Sequence, residues 1–171
     1  MKMRISKLKL LLLMAMSIFG LWASMEVLVV YDLLGQQLPL CQPGQAPWFG
    51  RVINCDTVLS SRYSMIFGIP LELFAVVYFI FNLFLVYLVA FGGDAIFRRA
   101  LTVLFAWRFL GLIIVPYLVS IELFILYAIC VYCTMMHVAI ILDFIIISYF
   151  LFYKRDSLYA STAPAAGAAA H

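Results

Sequence analysis

The chain has 171 residues, of which 67% are hydrophobic and 11% charged. A water-soluble domain of this size has no core able to hide so much apolar chain, and runs of bilayer-spanning length recur, so the protein is integral to a membrane. Its net charge of +3 is therefore no nucleic-acid signal, since membrane proteins place Lys and Arg at the ends of their spans to set orientation.

The opening "MKMRISKLKLLLLMAMSIFGLWASM" begins like a secretory signal, but its apolar run continues past Ala23 through "VLVVY", beyond a typical signal core. It is read as a retained first span over residues 10–31. A polar segment follows at residues 35–64, where Pro39, Pro43, Gly44, Pro47 and Gly50 mark irregular chain. Within it "CDTVLSSRY" predicts a short helix with Asn54 or Asp56 as its cap, and Trp48 and Phe49 suit the headgroup layer. The second span covers residues 66–91. The hydrophobic stretch 100–153 is long enough for two more. Pro116 and the polar "SIE" at 120–122 offer its only turn, which predicts spans 99–119 and 123–152 joined as a tight hairpin. Residues 154–171, ending in the Ala-rich "STAPAAGAAAH", read as a disordered cytoplasmic tail. The fold class is all-α, a four-transmembrane-helix bundle with a large outer loop between helices 1 and 2.

Orientation follows from the basic residues. Lys2, Arg4, Lys7, Lys9, Arg98, Arg99, Lys154 and Arg155 share one side, eight of the eleven Lys and Arg. By the positive-inside rule that side is the cytoplasm and holds both termini. The loop 35–64 and the turn near Glu122 then face outward. All four cysteines fall in that outer half.

Two of them form "CVYC" in the last span, residues 130–133. About twenty residues separate Cys133 from Lys154, roughly 30 Å of helix, which places Cys133 at the outer membrane boundary. Cys130, Cys133 and His137 share one helix face. Thiols at i and i+3 beside an oxidising compartment can form a disulfide, and the first turn of a helix activates a thiolate. The loop supplies a second pair, Cys41 and Cys55. Together they have the skeleton of an electron relay, one pair open to soluble partners and one at the membrane edge. A lipid-soluble quinone is the two-electron acceptor available there, within aromatic and hydrogen-bonding groups such as Tyr63, Phe67, Tyr132 and His137.

The ordered set of Cys41, "CDTVLSSRY" at 55–63, "IFG" at 66–68 and "CVYC" at 130–133 resembles the vitamin K epoxide reductase family, over about residues 10–153. The resemblance implies a helical bundle around a quinone pocket, with the outer loop as a lid. It implies that Cys133 is the thiol beside the quinone and that Cys130 exchanges disulfides with Cys55. Cys41 would accept electrons from a reduced thioredoxin-like partner. Ser61 matches a position supporting the active pair, and Leu59, Tyr63 and Phe67 match pocket-lining positions. Ser64 and His137 stand where animal members carry an Asn and a Tyr that contact the vitamin. Those departures, with a shorter link between "SSRY" and "IFG" and wider-spaced loop cysteines, favour the microbial, disulfide-forming branch over vitamin K recycling. The expected setting is the plasma membrane of a prokaryote, with the protein a monomer using menaquinone, ubiquinone or a vitamin K type quinone. Whether Cys55 rests bonded to Cys41 or to Cys130 is left open by the sequence.

Blander readings stand beside these. The loop disulfide is purely structural if no partner attacks it, and His137 is a packing residue if it meets no quinone. Cys and His also bind zinc, but the loop spacing is poor for a compact knuckle and an oxidising face favours disulfides, so no metal is expected. A non-enzymatic assembly subunit predicts cysteines that exchange with nothing. Charges inside the spans are costly and so are paired or functional. Arg108 and Asp143 lie at similar depths, about 13–15 Å above the cytoplasmic boundary by helical rise. They are predicted to form an ion pair joining helices 3 and 4. Glu26 and Glu72 fall towards the outer half, where Glu72 either assists proton movement or, the favoured reading, meets water.

Overall fold

A computed structural model describes residues 7–41 and 53–161. Four helical stretches are long and apolar enough to cross a membrane, Leu8–Leu33, Leu71–Phe91, Arg99–Leu126 and Val131–Tyr149. With hydrocarbon offering no hydrogen bonds, each satisfies its backbone within itself. The chain is a multi-pass membrane protein of helical-bundle architecture.

Helix α1, Lys7–Glu26, continues in wider π turns through Leu33. It is closed by Gly35 at φ +63, whose N–H donates to the Tyr31 carbonyl at 3.1 Å. This left-handed stop needs a residue without Cβ strain. A 3-10 turn at Pro39–Cys41 follows. The Trp48 and Phe49 expectation, with most of the loop's Pro and Gly, lies outside the described residues. Helix α2, Cys55–Leu59, is the short helix anticipated in the loop. Of the two candidate caps Asn54 serves, its side-chain oxygen accepting from the Thr57 N–H at 3.1 Å. Asp56 instead accepts from the Tyr31 hydroxyl at 2.8 Å, tying the loop to the top of α1.

After a 3-10 turn at Arg62–Ser64, strands β1 (Met65–Ile66) and β2 (Ile69–Pro70) form a two-residue hairpin. Both of its central residues, Phe67 and Gly68, have positive φ, the geometry favoured in tight hairpins. Helix α3, Leu71–Phe91, starts at the proline. The predicted second span therefore loses residues 66–70 to the hairpin.

Helix α4, Asp94–Ser120, runs through Pro116 and on in π turns to Leu126. The turn expected at Pro116 and residues 120–122 is not there; it lies at residues 127–130, where Tyr127 adopts φ +50. A proline removes one donor, and in lipid the helix still satisfies more backbone than any loop. Wide turns and side-chain bonds such as Ser120 Oγ to the Pro116 carbonyl, 2.6 Å, accommodate the break. Glu122 is consequently buried in the helix wall at 6% exposure rather than standing on a turn. Helix α5, Val131–Ser161, extends past residue 154, so the first part of the expected disordered tail is helical. Residues 162–171 lie outside the described set.

The four spans pack in a closed ring, α1 on α3, α3 on α4, α4 on α5 and α5 on α1. One apolar cluster at the loop end contains Val27, Leu38, Cys55, Leu59, Cys130 and Cys133; a second at the other end is built around Leu13, Leu85, Leu104 and Ile147. Ser17, Asn82, Arg108 and Asp143, one residue from each span, form a buried polar node. The expected ion pair is present, Arg108 Nη2 to Asp143 Oδ2 at 3.4 Å. Asn82 Nδ2 donates to Asp143 Oδ2 at 2.9 Å and to Ser17 Oγ at 2.7 Å, and Arg108 Nε donates to Asn82 Oδ1 at 3.1 Å.

Candidate active site

The site begins with the turn before α5. A parallel bridge pairs Ile53 with Ile129, and the Asn54 N–H donates to the Ile129 carbonyl at 3.1 Å. The residues that follow each partner are Cys55 and Cys130. This main-chain pairing brings the two cysteines into one buried cluster, at 2% and 0% exposure. Cys41 and Cys55 are joined as a disulfide with Cα atoms 5.6 Å apart, and Cys41 is half-buried. Cys130 and Cys133 are free of disulfides and buried. The Cys130 sulfur accepts from the Cys133 N–H at 3.3 Å, so it caps the first turn of α5 as a side-chain acceptor does.

Cys133 opens on a cavity of about 300 Å³, at the lower end of the range for small-molecule sites. Leu59, Ser61, Tyr63, Ser64 and His137 also line it, which brings six of the ten sequence-predicted site residues around one space. Cys41, Cys55 and Cys130 lie behind it rather than on its wall. Ser61 turns its hydroxyl back to the Val58 carbonyl at 2.8 Å, and Ser64 donates to the Ser61 carbonyl at 2.8 Å. The two serines therefore shape the wall as well as lining it.

Two aromatic expectations are corrected. Phe67 is fully exposed at the hairpin tip and is not part of the cavity wall, because positive φ at residues 67 and 68 turns its side chain away from the bundle. Tyr132, one residue off the Cys133 face, is buried against Trp22 with ring centroids 6.3 Å apart, outside the cavity.

The sequence reading did not foresee the opposite wall. Glu72, expected to meet water, is 5% exposed and lines the cavity with Glu122. Both carboxyl groups lie within electrostatic range of the Cys133 sulfur. The Glu122 main-chain carbonyl accepts from the Ala128 N–H at 3.1 Å, and its carboxyl group lies near the Cys130 amide. Tyr78 stacks on Trp107 at 5.3 Å, and both line the cavity. Gly111 makes room there, since a Cβ on it would come within 2.5 Å of the Tyr78 hydroxyl. The available signal for the carboxyls was the general one, an ionisable residue inside a span.

Phe74 and Val77 of α3, and Leu110 and Ile114 of α4, line the cavity while being 44–56% exposed on the outer surface. The cavity thus reaches the lipid-facing surface between α3 and α4. Its wall is mostly apolar, with Ser61, Tyr63, Ser64, Glu72, Tyr78, Glu122 and His137 as its polar members besides the Cys133 thiol. That combination fits an apolar ring carrying two carbonyls. Among the described residues no group of three or more Cys, His, Asp or Glu is placed to hold a metal ion.

Residues 11–148 match the vitamin K epoxide reductase family. The chain belongs to that family. No curated protein matches it. As a vitamin K epoxide reductase family member it is a membrane redox enzyme, and proteins of this family act with quinones. The cysteine pair, the buried cavity beside it and the four-helix frame are consistent with that membership.

Proposed function

We propose that the protein is a quinone-dependent thiol-disulfide oxidoreductase of the microbial, disulfide-forming kind. It takes electrons from a reduced thioredoxin-like partner on the outer face of a prokaryotic plasma membrane, with both termini in the cytoplasm. The observation that carries the reading is the pairing of residues 53–54 with 129. It sets Cys55 beside Cys130 while Cys133, one turn on, opens to the cavity.

The partner's dithiol attacks the Cys41–Cys55 disulfide and leaves oxidised. The freed Cys55 thiolate attacks the Cys130 sulfur of a Cys130–Cys133 disulfide and releases Cys133 as a thiolate. Cys41 then closes on Cys55, which leaves Cys130 and Cys133 as a dithiol. That dithiol gives two electrons and two protons to the quinone, the electron-accepting substrate, and its disulfide re-forms. His137 contributes a ring N–H able to donate to a quinone carbonyl, while Ser64, its hydroxyl committed to main-chain carbonyls, shapes the wall beside it.

Purified protein in detergent is expected to oxidise a reduced thioredoxin-like protein only when menaquinone or ubiquinone is supplied. Free thiols should fall on quinone addition, and metal analysis should show no stoichiometric ion. Oxidation that ignores quinone, or cysteines that never exchange, would refute the reading. The preferred quinone emerges from comparing the two arms.

Gly111→Ala tests the cavity's shape. The added Cβ meets the Tyr78 hydroxyl at 2.5 Å and Ile140 at 3.2 Å, so Tyr78 must move. Overpacking on this scale costs about 1–3 kcal/mol. The expected result is a KM for quinone raised about tenfold with disulfide exchange between loop and membrane pairs unchanged. An unaltered KM would show that the quinone does not reach this end of the cavity.

A further inference from the structure

Reduction of a quinone by Cys130 and Cys133 breaks two S–H bonds and forms one S–S bond and two O–H bonds. The Cys133 proton starts on the cavity wall. The Cys130 proton does not, because that sulfur is fully buried and lies behind the wall. It needs a carrier that touches both places. Glu122 meets the requirement, since it lines the cavity and is tied to the turn before α5, its main-chain carbonyl accepting from the Ala128 N–H at 3.1 Å and its carboxyl group lying near the Cys130 amide. The helix that continues past Pro116 and on in π turns from Ile121 to Leu126 puts it there.

We propose that Glu122 carries the second proton from the cysteine pair to the quinone oxygen. As the Cys130–Cys133 bond forms, the Glu122 carboxylate takes the proton leaving Cys130 and passes it to the developing hydroquinone oxygen. Glu122 ends the turnover as it began, so no further reactant is needed. The inference rests on the thiol-to-quinone reading of the site.

Other ionisable groups facing the same space are Cys133 and His137 from α5, Glu72 and Tyr78 from α3 and Tyr63 from the loop. His137 is four residues beyond Cys133, a full turn further from Cys130 along α5. Glu122 is the acid of this set whose carboxyl group lies near the Cys130 amide, which decides between them for this proton. A structural role for Glu122 also exists, because its carboxyl group lies near the Cys130 amide at the start of α5. The two roles separate by substitution. Glu122→Gln keeps a side-chain carbonyl as acceptor but cannot carry a proton, whereas Glu122→Ala loses both functions.

The experiment follows a single turnover of pre-reduced protein with a short-chain quinone across a range of pH, alongside exchange between Cys55 and Cys130 and thermal unfolding in detergent. Loss of a proton carrier typically costs about 10²–10⁴-fold, and Glu122→Gln is expected at the lower end because the cavity holds other acids. Its exchange rate and unfolding should match the wild type, and its pH profile should lose one ionisation. A carboxyl band in the infrared difference spectrum between reduced and oxidised protein, recorded without quinone, should vanish in Glu122→Gln and persist in Glu72→Gln. Wild-type rate, profile and carboxyl band in Glu122→Gln would overturn the proposal. So would a parallel loss of exchange or stability in Glu122→Gln, which would assign the residue to positioning. A wild type that fails to reduce quinone would instead overturn the underlying function.

Discussion

Cys133→Ala is expected to abolish thiol-driven quinone reduction, a fall of about 10³-fold or more, the scale on which loss of a reacting nucleophile acts. Among the described residues Cys133 supplies the only thiol on the cavity wall. Cys130 cannot replace it, because that sulfur is sealed at 0% exposure and turned to the start of α5. The same substitution has a second, positive signature. Cys55 and Cys130 are held together by the main-chain bond from Asn54 to Ile129. In this variant the Cys130 thiolate attacks the Cys55 sulfur of the Cys41–Cys55 disulfide and releases Cys41; with no Cys133 thiol to resolve the new bond, a Cys55–Cys130 disulfide should accumulate. Peptide mapping under non-reducing conditions detects it. Quinone turnover by Cys133→Ala, or Cys55 found only with Cys41 under every oxidant, would remove Cys133 from the mechanism.

The parts of this site legible in the sequence were those fixed by helical geometry. Counting residues along a helix put Cys133 and His137 on one face, which lines the cavity, and Arg108 and Asp143 at one depth, where the ion pair closes at 3.4 Å; Cys130, counted on the same face, precedes α5 and lies behind the wall. The Asn54 cap was equally local, a matter of one side chain and an amide three residues on. What escaped depended on where backbone hydrogen bonds can be satisfied in a bilayer. Pro116 followed by "SIE" is a stop signal in water. In lipid the helix continues until a segment finds outside partners for its main chain. Residues 127–130 find them in the loop, through the Ile53 and Asn54 pairing with Ile129. That displacement of the turn carried Glu122 from an imagined surface into the cavity wall. Phe67 failed for a similar reason, since "IFG" records an apolar run but not the positive φ at residues 67 and 68 that points the ring outward.

The largest stability effect should come from the node between the two apolar clusters. Removing one partner of a buried ion pair leaves an uncompensated charge and costs about 3–5 kcal/mol. Hydrogen bonds between neutral groups in membrane proteins average only about 0.6 kcal/mol. On these magnitudes Arg108→Met or Asp143→Leu alone should destabilise the bundle several times more than Ser17→Ala. The pair removed together as Arg108→Met with Asp143→Leu should recover most of the loss. Recovery should be incomplete, because Asn82 gives one bond to Asp143 and receives one from Arg108, and both its groups then lose a partner. Adding Asn82→Leu should bring stability closer to the wild type. Reversible unfolding in mixed micelles measures all five forms. If the single charge substitutions cost no more than Ser17→Ala, the node does not hold its charges as an ion pair. Because one residue comes from each span, a strong coupling would mean that the node fixes the mutual register of all four helices, and with it the alignment of Glu122 on α4's extension against Cys133 on α5.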